Sequence, residues 1–298
     1  MSLKQLIDRA RNKEYFTTLE AYVEFAKEFI EFSKKGFEAR IVSQNENHYF
    51  FYQYKKDANY NVTRPINSRL MLGSKDAVIL ADFIKLLSSI KGAKKNKKNR
   101  EIINKSVYTL QQSIGITLDA LPSGKSNTAR KLNGDLFESL IKMIITKIGL
   151  DCSTQTVRIP IKMKGVKKFD MKYQHDFVLK TGGGALKAIG SIKTSSKDRI
   201  DKIFIDKFLY NQLAKQSVPH IAIFLNDVQR KKSKKENEYS IGHTFLPDRF
   251  KGYTIKLCPL DGVYYCDLRP EVGNDNLLKK HIFSLDKLLY DDIWKWVK

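Results

Sequence analysis

Apolar positions in the first part of the chain recur at helical spacing. Within residues 1–36, Leu19, Tyr22, Val23, Phe25, Ala26, Phe29 and Ile30 form one stripe, which predicts an amphipathic helix on a core. Arg40–Tyr54 reads as a hairpin, with Gln44-Asn45-Glu46-Asn47 as its polar turn. Gly73 and Ser74 precede a second helical pattern, Lys75–Ile90. The basic, helix-poor run KGAKKNKKNR (Lys91–Arg100) marks the expected boundary between a mainly helical N-terminal subdomain with a hairpin, 1–100, and a larger domain, 101–298. That run fits a solvated loop and a phosphate contact equally. Ile102–Ile114 resumes the helical period and is expected to end at Gly115, and Asn133–Ile148 forms a strong helix closed by Gly149.

Further on, the period changes from helix to strand. Thr156–Met163 is apolar and β-branched, and HDFVLK (His175–Lys180) and ALKAIGSIK (Ala185–Lys193) flank Gly182, Gly183 and Gly184 as a predicted hairpin. A helix follows, with Ser195 or Ser196 as its cap, Asp198 in its first turn, and Ile200, Ile203, Phe204, Phe208 and Leu213 on its apolar side. Asp206 lies on the other side, in line with Arg199 and Lys202. Pro219–Leu225 is a continuous apolar run of the kind buried inside a mixed sheet. Tyr253–Asp267 reads as late strands around Asp261-Gly262, and His281–Val297 as a helix held by Trp294 and Trp296. The expected class is α/β (α+β), a mixed sheet flanked by helices.

Composition narrows the partners. The chain of 298 residues is 42% hydrophobic, enough for a core, and its formal net charge of +22 points to a polyanion. No long apolar span or basic amphipathic anchor appears, so nucleic acid is expected rather than a membrane. MSLKQLIDRARNKEYF lacks a signal-peptide core, and Cys152, Cys258 and Cys266 suit a reducing cytoplasm. The five histidines fit no zinc signature. Gly124-Lys125-Ser126 lacks the Gly spacing and leading strand of a P-loop, so no nucleotide cofactor is expected. Lys125 and Arg130 instead belong to a basic loop able to grip a phosphate backbone.

The candidate chemistry gathers around the glycine turn. Folding HDFVLK against ALKAIGSIK brings Asp176 and Lys193 to the same end of adjacent strands. Carboxylates such as Asp176 and Asp206 can hold a hard divalent cation, and a lysine beside them can position or help deprotonate a water while neutralising phosphorane charge. The same residues also fit a surface hairpin with ordinary salt bridges. His175 adjoins Asp176, with orienting, DNA-contacting and structural roles open.

Asp176, then Ser191-Ile192-Lys193, then Asp206 resembles the PD-(D/E)XK restriction-endonuclease core. The match is to its variant with Ser or Thr in place of the acid before the lysine and a carboxylate supplied by the following helix. Lys193-Thr194-Ser195-Ser196-Lys197-Asp198-Arg199 resembles the K-T-[ST]-x-[KR]-[DE]-R block of the EcoRII and PspGI branch, where the migrated acid lies thirteen positions past the lysine, here Asp206. The chain departs in having His175 where the family often has Pro, and Asp206 where it has Glu. The resemblance implies a type II restriction endonuclease with a restriction-endonuclease-like mixed β-sheet core. It implies Mg²⁺ on Asp176, Asp206 and Glu138, the last a carboxylate near the start of the preceding helix, with Lys193 catalytic. Lys197, Asp198 and Arg199 would read a target containing CC near one end and GG near the other. A homodimer in a prokaryotic cytoplasm, encoded beside a methyltransferase, is also implied. A repair or structure-specific nuclease, or a catalytically silent DNA-binding protein, are the other readings of these residues.

Overall fold

The structure, a computed structural model, describes residues 1–55, 62–197, 199–214, 217–232, 235 and 238–297. Ser2 and Gln5 form a capping box that opens α1 (Leu3–Arg11), and Thr18 caps α2 (Leu19–Ser33). The predicted α2 stripe is buried, from Leu19 to Ile30. β1 (Ala39–Val42), β2 (Tyr49–Gln53) and β3 (Ile66–Asn67) form a small antiparallel sheet, and α3 (Val78–Ser88) follows.

Two helices are longer than their sequence patterns suggest. α4 (Lys97–Asp119) starts inside the basic run, with Asn96 as its cap, and continues through Gly115. Gly115 serves close packing and not a helix end: it keeps a helical backbone, and a Cβ there would meet Arg64 Nη1 at 2.3 Å. Arg64 in turn grips Asp119 through Nε and Nη2 at 2.9 and 2.7 Å, closing the helix end from outside. α5 (Ser126–Lys147) begins well before Asn133, so Arg130 sits on helix and Lys125 ends a single 3₁₀ turn instead of a long loop.

The central sheet has six strands in the order β11–β10–β7–β6–β5–β4. They are β4 (Asp151–Met163), β5 (Val166–Lys180), β6 (Leu186–Ser195), β7 (His220–Asn226), β10 (Gly262–Tyr265) and β11 (Ile282–Ser284). β4, β5 and β6 are antiparallel neighbours, while β6, β7, β10 and β11 run parallel. β5 starts nine residues before His175. Lys164 and Gly165, with φ of 49° and 79°, make a two-residue turn into it that the sequence pattern does not announce. At the other hairpin only Gly184 takes a positive φ. α6 (Ile200–Leu213) crosses from β6 to β7. β8 (Val228–Lys232) and β9 (Tyr239–His243) form a separate hairpin on the charged run, and α7 (Pro247–Lys256) claims Tyr253, leaving the late strand only four residues.

β7 is buried along its whole length and serves both faces. Ile221, Ile223 and Leu225 join Phe137, Leu140 and Ile144 of α5 in a core that extends through α4 to α1 and α2. Ala222 and Phe224 join Ile203, Phe204 and Phe250 of α6 and α7 in a second core. Burying a side chain of Leu, Ile or Phe size contributes about 1.5–3 kcal/mol, so these faces fix the helices against the sheet. Among the described residues no helix is long and apolar enough to cross a membrane.

Candidate active site

The site forms where β5 leaves β6. Their pairing runs from Lys180 only as far as Phe177 opposite Gly190. Just there, β5 bulges: Ser153 pairs with Val178 and Gln155 with His175, so Asp176 and Phe177 together oppose Thr154. Tyr173 packs on the α6 side of the sheet and Phe177 on the α5 side. The extra residue thus switches the alternation and re-aims Asp176, a common use of a bulge. On its other edge β6 lies close on β7 at Gly190, where a Cβ would meet the Ile221 carbonyl oxygen at 2.3 Å.

Asp176 Oδ2 fills the gap between the diverging strands. It accepts from the Ile192 backbone N–H at 3.2 Å and from Lys193 Nζ at 2.6 Å. Lys193 Nζ also donates to Glu138 Oε1 at 2.8 Å, bringing α5 to the sheet. Lys193, near the carboxyl end of β6 where the parallel half of the sheet opens, is 32% exposed; Glu138 and Asp176 are 20% and 14% exposed. Behind them Lys142, one helical turn past Glu138, donates to Thr154 Oγ1 at 2.8 Å, and that hydroxyl donates to the Asp176 carbonyl at 3.4 Å. Lys142 and Thr154 are not among the residues the sequence singles out. The Glu138–Lys142 spacing of four on one helix is the available signal.

Burial raises the Glu138 pKa, against the opposing pull of the Lys193 hydrogen bond. Burial works to lower that of Lys193, but hydrogen bonds to Asp176 and Glu138 outweigh it, and the ammonium is held above its ordinary value. Lys193 is therefore a fixed cation at neutral pH. The two carboxylates present hard oxygens to one point in a half-buried setting, which fits Mg²⁺ with its habit of taking one or two carboxylates plus phosphate oxygens. Among the described residues no three His, Cys, Asp or Glu side chains converge closely enough to hold a metal by themselves.

The other predicted residues lie around this set. Asp206 on α6 bonds to Lys202 Nζ at 2.6 Å and is not hydrogen-bonded to Glu138, Asp176 or Lys193. Its charge reaches the rings of Tyr173 and His175. His175 is buried beside Tyr173 and His220 rather than turned toward Asp176, and burial lowers its pKa, so it is a neutral core residue. Neither Ser195 nor Ser196 caps α6. Ser195 Oγ accepts from the Lys197 N–H at 3.2 Å, and Ser196 Oγ meets Thr244 Oγ1 at 3.4 Å. Lys197 and Arg199 are exposed on the loop just past Lys193, with Lys197 Nζ donating to Gln229 at 3.2 Å. Asp198 lies outside the described residues. Lys125 and Arg130 are exposed at the start of α5, on the helix that carries Glu138.

A mixed sheet flanked by helices, with a lysine between two carboxylates where two antiparallel strands part, defines the restriction-endonuclease-like fold class. Among solved structures, the crystal structure of the Type IIP restriction endonuclease Kpn2I matches with a TM-score of 0.70 at 18% identity, over 99% of this chain and 97% of that one. The complex of restriction endonuclease PspGI with substrate DNA matches with a TM-score of 0.45 at 11% identity, over 75% of this chain and 90% of that one. No family model matches the sequence, and no curated protein does.

Proposed function

We propose that the protein is a type II restriction endonuclease, hydrolysing phosphodiester bonds of double-stranded DNA at a specific sequence with Mg²⁺. The observation that carries this reading is Lys193 Nζ held between Asp176 and Glu138 at the parting of β5 and β6. Asp176 and Glu138 would hold the ion, with Asp206 as a further carboxylate once it is released from Lys202. Mg²⁺ would supply positive charge at the scissile phosphate. Lys193 donates hydrogen bonds toward the attacked phosphate and neutralises the charge that develops there. Glu138 and Asp176 orient that ammonium, and the Ile192 N–H fixes the Asp176 rotamer.

Lys197 and Arg199 suit the paired O6 and N7 acceptors of guanine, and Asp198 the N4 donor of cytosine, which supports a target with CC near one end and GG near the other. Lys125 and Arg130 are assigned to the phosphate backbone. Cutting both strands of such a target calls for two sites, hence a homodimer, for which residues 1–100 are an accessory DNA-binding or dimerisation subdomain. A prokaryotic cytoplasm and a companion methyltransferase complete the proposal. The engagement of Asp206 with Lys202 favours, as a second reading, a DNA-binding protein without activity. Incubating plasmid DNA with protein and Mg²⁺, with and without chelator, tests both. Discrete metal-dependent fragments support the restriction enzyme; a smear points to a repair-type nuclease, and uncut plasmid overturns the enzymatic reading.

A further inference from the structure

Beyond the point where β6 stops pairing with it, β5 continues with β4 alone, from Gln155 opposite His175 to the turn at Lys164-Gly165. This two-stranded ribbon is two-faced. Val157, Ile159, Met171 and Tyr173 lie on one side and pack at its base against Tyr210, Leu209 and Leu213 of α6. On the opposite side Arg158 pairs directly with Lys172, and Lys162 with Lys167. With Lys164 and Lys168 the ribbon carries six cations and one acid, Asp170, which is bonded to Lys167 at 2.9 Å. Among the described residues Arg158, Lys162, Lys164, Lys168 and Lys172 meet no carboxylate, and all five are exposed. Like charges opposite each other on neighbouring strands destabilise a hairpin; Asp170 offsets the charge of Lys167, while among the described residues no carboxylate bonds to Arg158 or Lys172.

We infer that this ribbon is a DNA-gripping arm that lays its basic face along the phosphate backbone flanking the cut site. The inference rests on the nuclease reading above and adds a binding surface to it. Position supports it, because Asp176 stands at the ribbon's base and the ribbon leaves the sheet at the site's own end. The ten residue steps from Asp176 back to Val166 reach about 33 Å at ~3.3 Å per residue, close to one turn of duplex. Charge supports it too, since a polyanion relieves the Arg158–Lys172 repulsion and neutralises Lys162, Lys164 and Lys168.

The test measures equilibrium binding of the full chain to labelled duplexes of about 14 and about 40 base pairs, with metal chelated, between about 50 and about 200 mM salt. The variant Arg158→Gln/Lys162→Gln/Lys168→Gln/Lys172→Gln should bind the long duplex at least about 10-fold more weakly. Its log–log salt slope should be shallower by roughly 0.9 for each phosphate that the variant no longer neutralises. On the short duplex, whose ends stop about 24 Å from its centre at about 3.4 Å per base pair, the loss should be smaller, because only the base of the arm reaches phosphate. The charge-keeping variant Arg158→Lys/Lys162→Arg/Lys168→Arg/Lys172→Arg should bind as wild type does, separating charge from folding. Equal binding of the long duplex by the glutamine variant and wild type overturns the arm while leaving the nuclease reading intact. Failure of wild type to bind any duplex overturns both. The apolar face also exposes Met163, Val166 and Phe169 near the tip, at 62, 60 and 58%. If Met163→Ser/Phe169→Ser turns a dimer into a monomer in sedimentation while the glutamine variant binds DNA normally, the ribbon belongs to a second copy and the inference falls.

Discussion

Replacing Lys193 by methionine keeps an unbranched apolar stem, one atom shorter, and removes the ammonium with its charge and its hydrogen bonds to Asp176 and Glu138. Asp176 Oδ2 and Glu138 Oε1 both contact Nζ, at 2.6 and 2.8 Å, so these two oxygens are no more than about 5.4 Å apart. Without the ammonium, two unit charges at that separation repel by about 3 kcal/mol at an effective dielectric of about 20, and by about 1 kcal/mol near the water limit. Partial exposure of the three side chains places the cost between these figures. The sign with pH follows from proton binding. In the variant the coupled carboxyls bind a proton more tightly folded than unfolded, so stability falls as pH rises from the ordinary carboxylate range. Lys193→Met should therefore be about 1–3 kcal/mol less stable than wild type at pH ~8 in urea titrations, and nearly level with it at pH ~5. Cleavage should disappear while specific DNA binding persists. Mg²⁺ affinity, by contrast, should rise, because the site changes from one net negative charge to two. Calorimetric titration of Mg²⁺ into both proteins decides the matter. Weaker or unchanged Mg²⁺ binding by the variant, or undiminished cleavage, refutes the assignment of this pair as the ion's ligands with Lys193 as the charge between them.

Asp206→Ala should lose cleavage in Mg²⁺ and Asp206→Glu should keep it; normal cutting by the alanine variant removes Asp206 from the site. Arg199→Ala should cost roughly 1–3 kcal/mol of binding on the cognate duplex and far less on a scrambled one, whereas equal losses on both would make it a phosphate contact. Gly190→Ala forces a methyl into the Ile221 carbonyl and should destabilise by about 3 kcal/mol or more in denaturant titration, with cleavage impaired as β6 shifts. Asp267, buried and accepting from Tyr49 and Asn67, has its pKa pushed up by burial to about 7. The folded state holds that proton more tightly than the unfolded one, so stability falls as pH rises from about 4 to about 7 and then levels. Asp267→Asn should flatten that fall, by up to about 4 kcal/mol, in urea titrations across the range; an unchanged slope would rule out Asp267 as its source.

Local pattern by itself determined the parts whose stability is local. The α2 stripe, the continuous apolar run of β7 and the hairpin about Gly184 follow from periods of 3.6 and 2 and from a glycine turn. The placing of Asp176 and Lys193 at one strand end was legible too, because a short hairpin fixes its own register. What lay beyond reach was everything set by partners distant in sequence. Glu138 meets Lys193 across 55 positions only because α5 packs on the sheet through Phe137, Leu140 and Ile144. Gly115 lies inside α4 as a packing glycine and not as a stop, since Arg64, 51 residues earlier, occupies the space a side chain would take. His175 reads as a neighbour of Asp176, yet one is buried and neutral and the other bound to Lys193, because adjacent strand residues alternate and the extra residue in β5 resets which face each takes relative to Phe177. Composition and period register which residues prefer burial; they carry no information on the bulge that decides which face each one takes. The basic ribbon is the same case on a larger scale, since its charges are plain in the sequence but their pairing across Arg158–Lys172 and Lys162–Lys167 depends on a turn at Lys164-Gly165 and a register that only the folded sheet supplies.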